Sequence, residues 1–156
     1  MVDYLSCLDK ALVETLKNKS LTITTAESCT GGMVASSIVN ISGASDIFKE
    51  GYITYSILGV KHETLEKYKA VSAETAAQMA EGAVRISKAD ISVSVTGVAG
   101  PSREDDKPVG LVYIGCCYKG ETHVKECDLS VDRHTIRCQS TKEALKFVLD
   151  IIKTNR

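Results

Sequence analysis

The sequence lacks an excess of charge of either sign, and this absence excludes several classes of protein. Its 19 lysine and arginine residues nearly balance 20 aspartate and glutamate residues, which gives a net charge of -1. Proteins that attract nucleic acids or anionic membranes over a distance carry a strongly basic surface. We therefore expect no nucleic-acid partner and no membrane partner, and an anionic ligand must be held by local contacts.

Long apolar runs and signal sequences are also missing. No apolar run approaches the roughly 20 residues that span a bilayer, and the first residues have neither a basic start nor a hydrophobic signal core. These absences predict a cytoplasmic protein.

Metal-binding and disulfide patterns are scarce as well. The six cysteines include no C-x-x-C pair, and the three histidines, His62, His123 and His134, lie far apart in the chain. Structural zinc sites usually draw their ligands from closely spaced pairs. The sequence therefore predicts no metal and no cofactor, and in a reducing compartment the thiols are expected to stay free.

Proline is rare, and the chain has no linker, repeat or low-complexity stretch. The two prolines, Pro101 and Pro108, bracket the polar segment 102–107, a pattern that is typical of a mobile surface loop. A length of 156 residues suits one domain that buries its core without disulfides or metal. We therefore predict a single domain over residues 1–156.

What the sequence does contain is an alternation of helix and strand patterns. Apolar residues three and four apart predict a helix from Asp3 to near Asn18. Strands are predicted at 21–25, 52–56, 90–96, 109–118 and 122–129, and the last two form a hairpin. Ser72 and Asp132 are predicted to cap two further helices. This order predicts an α/β fold with a mixed sheet between helical layers.

Two glycine loops follow predicted strands and are the first candidates for a ligand site. One is Ala26-Glu27-Ser28-Cys29-Thr30-Gly31-Gly32, which leads into a helix whose free N–H groups favour an anion such as phosphate. The other is Thr96-Gly97-Val98-Ala99-Gly100-Pro101, where glycines let the backbone approach a ligand. Either loop can equally be a tight turn and no more. Open α/β sheets bind ligands at the carboxyl ends of their strands, where both loops are expected.

Three further features can carry chemistry, and each also has a simpler structural explanation. Ser45 lies in a small-residue loop, where it can be a nucleophile if a base takes its proton, or a cap of a turn that begins at Asp46. Arg133 and Arg137 follow a predicted cap, where they can clamp a phosphate or face solvent. Cys29 can be an activated thiol or a small buried apolar group.

Taken in order, several segments resemble the CinA C-terminal domain family. They are 26–32, Gly43-Ala44-Ser45, Thr54-Tyr55-Ser56, Ala70-Val71-Ser72, 96–101, Lys107-Pro108-Val109-Gly110 and Asp132-Arg133. Members of the family look like three-layer α/β/α sandwiches with a mixed sheet. They act as amidases that convert nicotinamide mononucleotide to nicotinate mononucleotide and ammonia. The resemblance implies the same fold and activity here, with a small nucleotide as substrate and a homo-oligomer, expected to be a dimer.

The resemblance also implies roles for particular residues. It makes Ser45 the nucleophile, with Tyr55 beside it. It places substrate-binding residues in both glycine loops and at the start of the last helix: Ser28, Thr30, Gly31, Gly32, Thr96, Gly97, Gly100, Arg133 and Arg137.

One segment departs from the family pattern. Members usually carry Tyr-Ser-Asn-x-x-Lys ahead of Leu-Gly-Val, whereas here only Ile57 separates Tyr55-Ser56 from Leu58-Gly59-Val60. The lysine that would serve as base for Ser45 falls in the missing part, and Lys61 is its stand-in. Three hypotheses follow: an amidase that acts through Ser45, a catalytically silent nucleotide-binding or interaction module that has lost the base, or an amidase with a different amide substrate.

Overall fold

The computed structural model describes residues 4–54 and 58–155. Within these ranges the helices are α1 (Tyr4–Asn18), α2 (Met33–Val39), α3 (His62–Tyr68), α4 (Ala73–Ser87) and α5 (Arg133–Thr154). The strands are β1 (Ile23–Glu27), β2 (Phe48–Ile53), β3 (Ile91–Gly97), β4 (Leu111–Tyr118) and β5 (Glu121–Asp128). A short 3-10 turn, Ala44–Asp46, precedes β2.

The strands form one mixed sheet in the order β2-β1-β3-β4-β5. Strand β1 pairs in parallel with β2 and β3, whereas the β3–β4 and β4–β5 pairs are antiparallel. The predicted mixed sheet and its final hairpin are thus confirmed. The three parallel strands end at the same side of the sheet, which we call the carboxyl edge; the opposite side is the amino edge.

Helices cover both faces of the sheet. Helices α1, α2 and α5 contact one another on one face, while α4 covers the other face and α3 packs against α4. The larger apolar core, which includes Leu12, Ile38, Ile114 and Leu145, lies on the side of α1, α2 and α5. The fold is therefore the predicted three-layer α/β/α sandwich.

Small polar side chains on β3 let α4 lie close to the sheet. Ser92 and Ser94 are fully buried, and their hydroxyls donate to the carbonyls of Ala80 and Ala76 at 2.7 and 2.6 Å. A Cβ on Gly115 of β4 would lie 2.6 Å from the same Ala76 oxygen. Because buried hydroxyls need a partner, these bonds fix α4 at one height on the sheet.

Two helices begin at the residues predicted to cap them. The Ser72 hydroxyl accepts a hydrogen bond from the Thr75 N–H at 3.1 Å, and the Asp132 carboxylate accepts one from the Thr135 N–H at 2.8 Å. Each bond satisfies an N–H group that has no partner inside the helix. Both caps are therefore confirmed.

The predicted strand bounds are less accurate. The first strand covers 23–27 rather than 21–25, and the N–H of Thr22, just before it, donates to the Asp90 carboxylate at 2.7 Å instead of to a backbone carbonyl. The second covers 48–53 rather than 52–56, and the last part of that prediction lies outside the described residues. The short helix α3 was not predicted.

The described residues contain neither a membrane-spanning helix nor a metal-binding cluster, and their cysteines are unpaired. No helix in the described part of the chain is long and apolar enough to cross a membrane. No cluster of three or more His, Cys, Asp or Glu side chains in residues 4–54 and 58–155 is arranged to hold a metal ion. All six cysteines fall inside these ranges, and all are free.

Candidate functional site

A polar cavity of about 350 Å³ opens at the carboxyl edge of the sheet. It is formed by the loop after β1, the loop after β3, the turn 102–107 and the start of α5. Its size falls within the range of small-molecule sites, about 300–1,000 Å³. The lining residues are Ser28, Cys29, Gly31, Gly97, Val98, Ala99, Gly100, Ser102, Glu104, Arg133 and Arg137. The structure therefore brings together six of the residues singled out from the sequence: Ser28, Gly31, Gly97, Gly100, Arg133 and Arg137.

The side chain of Glu27 fills the anion position at the start of α2. It is fully buried, and its Oε2 accepts hydrogen bonds from the N–H groups of Gly32 and Val34, both at 3.0 Å. Its Oε1 accepts from the Ala35 N–H at 2.8 Å, and the Thr30 hydroxyl donates to Oε2 at 2.7 Å. These N–H groups are the ones a phosphate would need. The expectation of a phosphate at this helix start is therefore corrected: Thr30 and Gly32 hold Glu27 and do not line the cavity.

Two arginines of α5 bring positive charge to the cavity. Arg137 is partly buried and donates from Nε to the Cys29 carbonyl and from Nη2 to the Thr30 carbonyl, both at 3.0 Å. Arg133 is more exposed and donates from Nη1 to the Gly100 carbonyl. A guanidinium group has more N–H donors than these bonds use, so each arginine can also bind an anion. The bonds to the loops hold both groups in position for that purpose.

The loop after β3 depends on glycine for its close packing. A Cβ on Gly97 would lie 2.6 Å from the Val112 side chain, and Gly100 has a φ of 87°, which side chains disfavour. Thr96, which was expected to line the substrate pocket, is buried, and its hydroxyl donates to the Ala70 carbonyl at 2.8 Å. The structure thus places Thr96 next to the segment before α4 and outside the cavity lining.

Cys29 lines the cavity as a protonated thiol. Burial raises its pKa to about 11, and this effect outweighs the opposite influence of its backbone hydrogen bond and of the two arginines. A thiol reacts as a nucleophile only in its thiolate form. Near neutral pH the nucleophilic side chains among the lining residues are therefore the hydroxyls of Ser28 and Ser102.

Ser28 is fixed by its backbone directly after β1. Its N–H donates to the Val95 carbonyl at 3.0 Å, which continues the pairing of β1 with β3 by one residue. Its own carbonyl accepts from the Gly31 N–H, also at 3.0 Å. The backbone of Ser28 is therefore fixed where its side chain lines a cavity that also contains two arginines.

The chain is similar to known proteins along almost its whole length. The family model described as the CinA C-terminal domain matches residues 6–152. The chain belongs to the CinA C-terminal domain family. A CinA-like protein of Kosmotoga olearia is 50% identical over 148 residues, which cover 90% of this chain and 36% of that protein. The chain thus spans about a third of the length of the curated relatives that it matches.

Solved structures of CinA-family proteins share this architecture. The competence/damage inducible protein of Agrobacterium tumefaciens is 35% identical, with a TM-score of 0.89 over 94% of both chains. A CinA-superfamily protein of Escherichia coli is 34% identical, with a TM-score of 0.91 over 94% of this chain and 90% of that one. The α/β/α sandwich described above is therefore the fold of the CinA family.

The serine that the CinA resemblance implies as nucleophile lies outside the carboxyl-edge cavity. Ser45 is part of the 3-10 turn Ala44–Asp46, and Gly43 holds the N-cap position, so a capping role for Ser45 is wrong. Ser45 lines a separate surface pocket of about 420 Å³, together with the apolar side chains of Val39, Ile41 and Phe48.

The register of the sheet shows how far apart the two serines are. Strand β2 starts at Phe48, which pairs with Ile23 at the amino edge, whereas β1 ends at Glu27 on the carboxyl edge. A strand of this length covers about 15 Å. Within one chain, Ser45 and Ser28 therefore belong to different sites at opposite edges of the sheet.

Lys61, the stand-in for the family's lysine, is not among the residues that line the cavity. Lys61 is exposed at the start of α3, and its backbone N–H donates to Gln78 Oε1 at 2.9 Å. Because α3 packs against α4, Lys61 lies on the other side of the sheet from the arginines of α5. Tyr55 lies outside the described residues.

The turn 102–107 supplies two lining residues that were not predicted, Ser102 and Glu104. Glu104 and Lys107 exchange backbone hydrogen bonds with N–O distances of 3.4 and 2.8 Å, which closes the turn. Arg103 Nη2 also donates to the Asp106 carbonyl at 2.8 Å. The available signal was the polar composition of the residues that follow the second glycine loop directly.

Proposed function

We propose that this CinA-family chain hydrolyses the amide of nicotinamide mononucleotide and releases ammonia and nicotinate mononucleotide. The observation that carries the proposal is that one cavity is lined by a serine with a fixed backbone and by two arginines. A hydroxyl can attack an amide carbon, and arginines can hold the phosphate of the same molecule. The resemblance to nicotinamide-nucleotide amidases supplies the identity of the substrate.

In this proposal Ser28 is the nucleophile. Its hydroxyl oxygen bonds to the amide carbon, the hydroxyl proton passes to the amide nitrogen, and the C–N bond breaks to release ammonia. Water then hydrolyses the acyl-enzyme, which gives the acid and restores the Ser28 hydroxyl. The phosphate binds to the N–H groups of Arg133 and Arg137 that face the cavity. Ser45 is the rival nucleophile, because the family resemblance implies it, but its position at the amino edge favours Ser28.

The test is ammonia release from nicotinamide mononucleotide by the purified chain and by two matched variants, Ser28→Ala and Ser45→Ala. Loss of the nucleophile should lower kcat by about 100-fold or more, as in other enzymes with a covalent serine step. We expect this loss in Ser28→Ala and an activity within about twofold of the parent in Ser45→Ala. The reverse pattern would assign the reaction to Ser45.

The proton acceptor is tested in the same assay with Lys61→Ala. Lys61 is the stand-in for the family's lysine, but it lies in the helical layer away from the arginines. A loss of turnover in this variant would make Lys61 part of the reaction despite that position. Unchanged turnover would leave proton transfer to another group.

The second candidate function is a catalytically silent module that binds a nucleotide. It is favoured by one observation: the anion-binding arginines are in place, whereas Lys61 lies outside the cavity. Titration calorimetry with nicotinamide mononucleotide, run beside the ammonia assay, separates the two functions. Binding without ammonia release supports the silent module, and turnover excludes it. Ammonia release from other nucleotide amides but not from this one would indicate a different substrate.

The CinA resemblance also supports a homo-oligomer that acts in the cytoplasm. Strand β2 is one of the two outer strands of the sheet; its last residue, Ile53, is 64% exposed, and Val39 at the end of α2 is 58% exposed. Exposed apolar side chains of this kind are compatible with contact to a second copy. Light scattering of the purified chain would contradict this proposal if it gave the mass of a monomer.

A further inference from the structure

Glu104 gives the cavity a negative charge that the proposed function does not use. It is the acidic residue among the lining side chains, and it comes from the turn 102–107. The positive charges of Arg133 and Arg137 come from a different element, α5. The neighbouring carboxyl group of Glu27 is fully buried and bonded to the start of α2. The cavity therefore has one open carboxylate and two guanidinium groups.

The N–H and the carbonyl of Glu104 both take part in the backbone hydrogen bonds that close the turn 102–107. The Glu104 N–H donates to the Lys107 carbonyl and the Lys107 N–H donates back to the Glu104 carbonyl, at 3.4 and 2.8 Å. The side chain of Arg103 bonds to the Asp106 carbonyl within the same turn. Glu104 is exposed and lines the cavity, so a ligand that enters the cavity can meet its carboxylate.

Amide hydrolysis changes the charge of the ligand at one end. Nicotinamide mononucleotide has a cationic pyridinium ring with a neutral carboxamide, and its phosphate is at the other end of the ribose. The product keeps the ring and the phosphate but has a carboxylate in place of the carboxamide. A fixed carboxylate in the cavity attracts the cationic ring of both ligands, but it also repels the carboxylate that only the product carries.

We propose that Glu104 makes this cavity favour the amide over the acid, so that it weakens binding of the product and promotes its release. This inference rests on the proposed function. Glu104 acts here as a specificity residue through its charge, and no bond is made or broken at its side chain. Two elementary charges several Å apart in a partly solvated cavity change affinity by about fivefold.

The test measures equilibrium binding of nicotinate mononucleotide and of ribose 5-phosphate to the parent chain and to Glu104→Gln. Neither ligand contains an amide, so turnover does not interfere. In the variant, the dissociation constant of nicotinate mononucleotide divided by the KM for nicotinamide mononucleotide should fall about fivefold, because both ligands carry the cationic ring and the phosphate and only the acid carries a ring carboxylate. Ribose 5-phosphate shows how far the affinity for the phosphate alone changes. The KM for nicotinamide mononucleotide should rise at the same time.

The matched control is Asp105→Asn. Asp105 carries the same charge on the same turn but does not line the cavity, and asparagine tolerates its φ of 47°. An equal fall of that ratio in this variant, or no fall in Glu104→Gln, would overturn the specific role of Glu104. If neither ligand binds the parent chain, the cavity is not a nucleotide site and the proposed function fails as well.

Discussion

The two edges of the sheet each present a serine in a small-residue loop, but the surroundings of the two serines differ. At the carboxyl edge, Ser28 shares a polar cavity with Arg133 and Arg137. At the amino edge, Ser45 shares a pocket with apolar side chains such as Val39. A serine becomes useful for amide chemistry only when neighbouring groups bind the substrate and accept its proton. Groups that can bind an anionic substrate accompany Ser28 and not Ser45, which supports the proposal that places the reaction at the carboxyl edge.

The largest effect on stability is expected from replacing Glu27, whose carboxylate holds the start of α2 at the carboxyl edge. Glu27→Ala removes the acceptor for N–H groups at the start of α2 and leaves them buried without a partner. We expect the free energy of unfolding to fall by about 3 kcal/mol in a urea titration. Asp46→Ala, which removes an exposed acid at the amino edge, should cost less than about 0.5 kcal/mol. Equal losses of unfolding free energy in both variants would show that Glu27 contributes no more to stability than the exposed Asp46.

A smaller effect, on binding, is expected from the two arginines. Replacing Arg133 and Arg137 together with lysine keeps the charge but removes the planar donors, and affinity for ribose 5-phosphate should fall by about tenfold. The control is Lys17→Ala at the amino edge, where the Lys17 ammonium donates to the Ser42 carbonyl at 3.2 Å. Affinity should stay within about twofold in this variant. A phosphate site at the amino edge would reverse the two results.

The smallest effect concerns the pH dependence of stability at the cavity thiol. Burial raises the pKa of Cys29 from 9.0 to about 11, so the unfolded chain loses this proton before the folded chain does. The contribution of Cys29 to stability is therefore constant below about pH 9 and is lost as the pH rises towards about 11. The difference in unfolding free energy between the parent and Cys29→Ala should follow this course. A difference that is constant from pH 8 to 11 would contradict it.

Alkylation provides an independent check on the same thiol. At pH 8 iodoacetamide should modify the exposed Cys7 before Cys29, since the reagent attacks thiolates that it can reach. Mass spectrometry of the peptides would show the order. Modification of Cys29 first would mean that the carboxyl edge holds an activated thiol.

The fold followed from the sequence because its signals are local. A hydroxyl or carboxylate three residues before a helical N–H, as in Ser72 and Asp132, predicts a helix start without knowledge of the rest of the chain. The spacing of apolar residues then predicted which segments are helices and which are strands, and their order predicted a sheet between helical layers. The bounds of β1 were harder, because Thr22 bonds to Asp90, which is distant in sequence.

The site was less predictable, because it depends on which loops share an edge. The positions of Ser28 and Ser45 in the sequence do not reveal that the two serines lie at opposite ends of β1 in space. That relation follows only from the pairing of β1 with β2. The role of Glu27 was missed for a different reason. The glycine loop predicted a free anion site at the start of α2, but the carboxylate of Glu27 occupies that position itself.

The bond between Arg137 and Cys29 joins residues that are 108 positions apart. The cavity thus needs both the loop after β1 and helix α5, and a fragment with both glycine loops but without α5 would lack the wall that Arg133 and Arg137 form. A ligand bound there would oppose the separation of that loop from α5, and its binding energy would add to the stability of the whole domain. Ligand binding to this cavity can therefore be used to measure whether α5 is packed against the loop that follows β1.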